Sequence, residues 1–345
     1  MQADIDGAVQ IARLAAGFDW SWTTSNLEDF CSAAGWREEK PSQHGASYHT
    51  GLDLQRNNAR VRFDRGFLAT LGASAQQEVP EAWVLVTDRV DPDDPYSEES
   101  LVDLFAQLSG RISEELGPAS RRDFGSRPGL VWDLPKLVLV LEMNNRLSLT
   151  MSNPLYRRWH DQSVRVEEGI MPSDEDDQTN LTRPSTWSEF SRASALTAAL
   201  LPEDGRLSIA ASPGWSITFV MDELQLKCII RLKSDGVAAV RVPAEQRIRL
   251  VEQGWVEGTD RFGDHWDRSV EWPVRLRDAR ELTDAAVESL QTMIGVACPS
   301  DLRIDAWAIR GEIVPDISRL GPSSAARPPA HRLQSWLPAR FRRHL

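Results

Sequence analysis

The chain has 345 residues, long for one domain and enough for two, and its 41% apolar and 8% aromatic content lets each half build a core. Its net charge of −12 argues against a general nucleic-acid-binding surface, and its longest purely aliphatic run, Leu137-Val138-Leu139-Val140-Leu141, falls far short of a membrane span. The chain opens with Asp4 and Asp6 and no basic lead, which does not read as a signal peptide, so a soluble, cytoplasmic protein is expected.

The first unit is expected over residues 1–160. Asp4 caps a helix carrying Ile5, Ala8, Val9, Ala12 and Ala16 on one side. Ser25 and Glu28 make a capping-box pair ahead of Leu27, Phe30, Cys31 and Ala34, and Gly35 stops that helix. Strands are predicted over 47–54, over 59–63, where Ala59, Val61 and Phe63 alternate, and over 82–87. The stripe Leu101, Leu104, Phe105, Leu108, Ile112 and Leu116 predicts a helix over 98–116. Strands over 137–143 and 147–151 flank Asn144-Asn145, a pair that tolerates positive φ and marks a hairpin.

Residues 161–186 read as an acidic linker, because Asp174-Glu175-Asp176-Asp177 repel one another and little apolar content surrounds them. The second unit is expected over 187–312. Thr186 and Glu189 make a capping box for a helix with Trp187, Phe190, Ala193, Leu196, Thr197 and Leu200. Strands follow over 206–211, 215–221, 224–232 and 237–242, with a tight connection at Met221-Asp222-Glu223-Leu224. Pro243 opens a helix that ends at Gly254 before Trp255. A strand near 269–274, a helix over 278–294 and a closing strand over 302–309 complete the unit. Residues 313–345 form a basic tail; from Ile317 onward it holds six arginines and no acid.

Motifs for chemistry are missing. The sequence has no nucleophile elbow, no Walker or dinucleotide glycine loop, no HExxH and no deaminase pattern. Cys31, Cys228 and Cys298 are far apart and odd in number, which predicts neither disulfides nor a zinc site but buried thiols in a helix and a strand. His44 and His49 lack nearby carboxylate or thiolate partners, and Asp264-His265-Trp266-Asp267 reads as a charged turn anchored by Trp266. No catalytic residue, metal or cofactor is therefore expected.

The thirteen tryptophans are the unusual feature. Trp187, Trp255 and Trp307 follow core periodicity. Trp20 and Trp22, either side of Ser21 between two helices, and Trp336 and Phe341 in the tail are the candidate partner-binding residues, because large aromatic rings give contact area at low entropic cost. Two helices end alike, at Cys31-Ser32-Ala33-Ala34-Gly35-Trp36 and Leu250-Val251-Glu252-Gln253-Gly254-Trp255.

The succession Trp187-Ser188-Glu189-Phe190, an amphipathic helix, a four-strand meander, Leu250-Val251-Glu252-Gln253-Gly254-Trp255, Trp266, Leu290-Gln291-Thr292-Met293-Ile294-Gly295-Val296, Pro299-Ser300-Asp301-Leu302 and Ala306-Trp307 resembles a TY-Chap domain. That family groups bacterial type III secretion chaperones with YbjN-like proteins. The first unit is similar to an uncharacterised actinobacterial family. The resemblance implies an α+β fold, two α/β sandwiches with mainly antiparallel sheets covered by helices. It implies a non-enzymatic mode of action, holding a protein partner such as a secreted effector or toxin, as a chaperone-like accessory or an immunity protein.

Overall fold

The computed structural model describes residues 1–42, 45–73, 77–91, 94, 96–125, 128–168, 184–211, 215–222, 224–232, 242, 244–260, 263–308 and 317–321. The chain divides into two units, Met1–Asp174 and Glu175–Leu345. Every strand pairing among the described residues of either unit is antiparallel, so both are α+β, as the sequence predicts.

In the first unit α1 (Ile5–Gly17) starts where the Asp4 carboxylate accepts from the Gly7 amide at 2.8 Å, and it buries Ala8, Val9, Ile11, Ala12 and Ala15. Helix α2 (Thr24–Ala33) is capped by Thr23, not by Ser25 as expected. Thr23 is the last extended residue and its hydroxyl accepts from the Asn26 amide at 3.2 Å, whereas Ser25 already lies inside the helix. Gly35, at φ 70°, ends α2: its amide donates to Ser32 O at 3.1 Å, and that of Trp36 to Cys31 O at 2.8 Å. These paired bonds need a left-handed residue, which glycine supplies without a Cβ penalty.

Four strands follow, β1 (Arg37–Ser42), β2 (Gly45–His49), β3 (Asn58–Arg62) and β4 (Glu81–Leu85), with the short helix α3 (Arg65–Thr70) between the last two. After α4 (Ser97–Leu116) come β5 (Arg121–Asp123), β6 (Gly129–Asp133), β7 (Val138–Met143) and β8 (Leu147–Ser152), then α5 (Pro154–Glu168). The sheet order is β1-β2-β3-β4-β8-β7-β6-β5. The hairpin at Asn144-Asn145 is present, but neither asparagine has positive φ; a three-residue loop reaches from Met143 to Leu147 with the Asn144 amide on Arg146 O at 3.1 Å.

Sequence reading misses β1, β5, β6, α3 and α5. Strand β1 is an edge, Arg-Glu-Glu-Lys-Pro-Ser, with a bulge between Glu38 and Lys40 and no apolar alternation. Helix α5 carries few apolar residues, so residues 161–168 looked like linker; the acidic run 174–177 itself lies outside the described residues.

One face of the sheet buries Ala59, Val61, Ala82, Val84, Leu139, Leu141, Leu149 and Met151 completely or nearly so, and α1 and α4 pack against the sheet and each other. Each buried valine, leucine or methionine of this set contributes about 1.5–3 kcal/mol, and each alanine less. The alternate face carries Arg62, Glu81 and Glu142 and receives α5. Asn153 starts that helix, accepting from the Leu155 amide at 2.9 Å, and Trp159 meets Phe67 edge-on at 4.5 Å. Asp161 binds Arg121 of β5 at 2.7 Å and Arg157 at 2.7 Å. Burial raises the Asp161 pKa, but His160, Arg157 and Arg121 together outweigh it and hold the carboxyl down at about 2.

The second unit opens with α6 (Trp187–Ala199), and its capping box forms as predicted: Thr186 Oγ1 accepts from the Glu189 amide and Glu189 from that of Thr186, each at 3.2 Å. Then come β9 (Gly205–Ala211), β10 (Trp215–Met221), β11 (Gln225–Leu232), α7 (Ala244–Glu252), β12 (Val256–Asp260), β13 (Gly263–Glu271), α8 (Leu276–Ser289) and β14 (Arg303–Ala308), with a π turn at Leu290–Ile294 extending α8. The sheet order is β12-β13-β11-β10-β9-β14. Most of the strand expected over 237–242 lies outside the described residues. The sequence Asp264-His265-Trp266-Asp267 is not a turn; it lies within β13, where register with β11 turns Trp266 onto the core face, fully buried.

Helix α7 ends as α2 does. Gly254 has φ 81°, its amide donates to Val251 O at 2.9 Å, and that of Trp255 to Leu250 O at 3.0 Å. In both units the tryptophan is buried and the next residue begins an edge strand.

Candidate partner-binding surface

The second unit presents two uneven sides of one sheet. Alternation puts Leu207, Ile209, Ile217, Phe219, Met221, Leu226, Cys228, Ile230, Trp266 and Ile304 on the side that is nearly completely buried, where α6 and α8 contact β10, β11 and β13. The opposite side carries Arg206, Thr218, Val220, Lys227, Ile229, Arg231, Asp267, Asp305 and Trp307, all only partly covered. Lys227 pairs with Asp267 at 3.3 Å and Arg303 with Asp305 at 3.3 Å. Arg206 Nε and Asp305 Oδ1 are shielded from solvent yet find no hydrogen-bond partner among the described residues. Desolvation pushes the Arg206 guanidinium below its ordinary pKa.

At one edge, α7 buries only Leu250, leaving Ile248 and Val251 59% and 56% exposed, and β12 begins with Val256, 64% exposed. Among the described residues β12 pairs only with β13 and forms the edge of the sheet, where outward backbone donors and acceptors are a template for a further strand. It contains no proline, and its pairing shows no bulge. An extended chain added there gains main-chain hydrogen bonds and sets its side chains beside exposed aliphatic ones. Sequence reading missed β12 altogether, since Val-Glu-Gly-Thr-Asp has one strongly apolar residue.

Of the residues singled out from the sequence, Trp20 and Trp22 are buried, 5% and 3% exposed, and stack on one another at 4.5 Å. Trp20 Nε1 donates to Ala15 O at 2.8 Å and Trp22 Nε1 to Lys136 O at 2.9 Å. Both rings pack into the core of the first unit. Trp336 and Phe341 lie outside the described residues. Trp255 is core as expected; Trp187 is half-buried, with Nε1 on Ala297 O at 3.2 Å, and Trp307 faces the open side rather than the core. Cys31 and Cys228 are buried thiols and Cys298 is partly exposed. No group of three or more His, Cys, Asp or Glu among the described residues is arranged to hold a metal ion, and none of their helices is long and apolar enough to cross a membrane.

No curated protein matches the chain. Residues 6–152 match the model of a family of unknown function, DUF6301. Residues 181–308, which bring together α6, the six-stranded sheet and α8, match the model described as T3SS (YopN, CesT) and YbjN peptide-binding chaperone 3. Two family models thus divide the chain, DUF6301 matching within the first unit and the peptide-binding chaperone family TY-Chap3 within the second.

Proposed function

We propose that this protein is a non-enzymatic, cytoplasmic accessory that holds an extended segment of a secreted effector or toxin, with the second unit as the holding domain. The match of residues 181–308 to a peptide-binding chaperone family carries the reading. The open edge of β12 and the exposed Ile248, Val251 and Val256 beside it support the place of binding. The partner segment adds as a strand, its backbone satisfying β12 and its apolar side chains covering the three aliphatic ones.

Co-purification of the full chain with the products of neighbouring genes tests this. A stoichiometric complex is expected, weakened about tenfold or more by Val256→Pro, which removes a strand donor. A complex that survives Val256→Pro and Ile248→Asp intact would overturn the proposed surface. The two roles separate by outcome: a chaperone keeps the partner soluble and unfolded at the bound segment, and an immunity protein abolishes the partner's toxicity.

A further inference from the structure

The first unit holds a second surface, unrelated to the peptide edge of the second. On the α5 side of its sheet, beyond the area that α5 covers, lies a cleft of about 340 Å³, within the usual range of ligand sites, roughly 300–1,000 Å³. Its walls come from separate stretches of chain: Arg56 precedes β3, Arg60 lies on it, Trp83 and Leu85 lie on β4, and Arg146 closes the β7–β8 hairpin. Arg89 adjoins it, because Asn145, with its amide oxygen turned toward Arg89, accepts from Arg89 Nε and Nη2 at 3.1 and 3.3 Å.

Four guanidinium groups thus crowd one another in a protein of net charge −12. None of the four forms an ion pair with a carboxylate among the described residues. Glu142, the acid on the wall, pairs instead with Arg157 of α5 at 3.7 Å. Burial, and then the charges of Arg89, Arg56 and Arg60, push the Arg146 pKa below its ordinary value. An arrangement of like charges costs free energy unless something neutralises it, and elsewhere in this unit arginines meet acids: Arg62 with Asp64, Arg111 with Asp6, Arg121 with Asp161.

We propose that this cleft binds an acidic peptide segment, its carboxylates received by Arg56, Arg60, Arg89 and Arg146. The four arginines sit on three stretches of chain, three of them lining the cleft and Arg89 adjoining it through Asn145, which suits several separated carboxylates better than one compact anion. Half-buried Trp83 and Leu85 supply an apolar floor, and the amides of Asn58, Asn144 and Asn145 and the Ser148 hydroxyl supply partners for peptide groups. A nucleic acid strand is disfavoured by the acidic body and by Glu142 on the wall.

The test is fluorescence anisotropy of the full chain with a labelled Glu/Gly/Leu repeat peptide, with its Gln counterpart, pyrophosphate and an oligothymidylate as competitors. Saturable binding is expected, weakened by salt, with about a tenfold loss for each of Arg60→Ser and Arg146→Ser. The exposed Arg158→Ser on α5 serves as a control that leaves binding unchanged, and circular dichroism checks each fold. Should Arg146→Ser fail to fold, exposed Arg60 still decides the matter. Val256→Pro leaves acidic-peptide binding intact, which keeps this site distinct from the β12 edge. Absence of binding, binding indifferent to Arg60→Ser, competition by the Gln peptide, or stronger competition by pyrophosphate or oligothymidylate would each overturn the proposal.

Discussion

Trp22 combines two features that pull a substitution in opposite directions, and their balance can be measured. Its ring is 3% exposed, stacked on Trp20 and hydrogen-bonded to Lys136 O, while its backbone sits at φ 62°. Truncating a buried tryptophan costs about 3–5 kcal/mol, and the lost stacking places Trp22→Ala toward the upper end. Alanine, like tryptophan, pays about 1–2 kcal/mol for the left-handed conformation. Glycine escapes that strain but adds about 0.4–1 kcal/mol of unfolded-chain entropy. Trp22→Gly should therefore be the more stable of the two by roughly 0.5–1 kcal/mol, the reverse of the usual order. Hydrogen exchange read on α1 and α2 in the full chain isolates the first unit from the second. If the glycine variant proves less stable than the alanine one, the left-handed backbone at Trp22 is not what holds the loop. If either variant keeps its stability while losing a partner, Trp22 belongs to a binding surface after all.

Two further outcomes follow from the electrostatics. Asp161 has a folded pKa of about 2, below its unfolded value near 3.9, so its stabilisation is full at neutral pH and disappears as pH falls from about 4 to 2. At 20% side-chain exposure this is worth about 2 kcal/mol, so Asp161→Asn should destabilise the first unit by that order at pH 7 and converge with the unchanged protein in acid, as urea melts across pH would show. Burial pushes the Cys31 thiol to about 12 and raises that of fully buried Cys228, which leaves partly exposed Cys298 as the thiol that reacts in the native protein. Mass spectrometry after brief iodoacetamide treatment should find label at Cys298 alone, and prompt labelling of Cys31 would contradict its burial.

The elements legible in sequence were those whose side chains alternate between oil and water. The stripe of α4, the capping box at Thr186 and the twin Gly-Trp ends all stand in the structure where the residues place them. Much of what stayed hidden lies at sheet edges and on the second face of the first sheet. Helix α5 docks through Asp161, Arg121 and Arg157 as much as through apolar groups, and β12 gains its place from pairing with β13 rather than from its own composition. The arginine cleft was illegible for another reason: Arg56, Arg60, Arg89 and Arg146 come together only when β3, β4 and β8 pair. The burial of Trp20 and Trp22 was equally illegible, since a tryptophan between two helices carries no sign of which side is wet.

The residues that concealed β1 from sequence reading also govern how the protein behaves when crowded. An edge made of Arg-Glu-Glu-Lys-Pro-Ser, with a proline that cannot donate and a bulge that breaks the ladder, is a poor template for another strand. First units at high concentration therefore have no ready route to zip together at β1 into fibres. Colloidal stability there is written into the same six residues that spoil the alternation by which a strand announces itself.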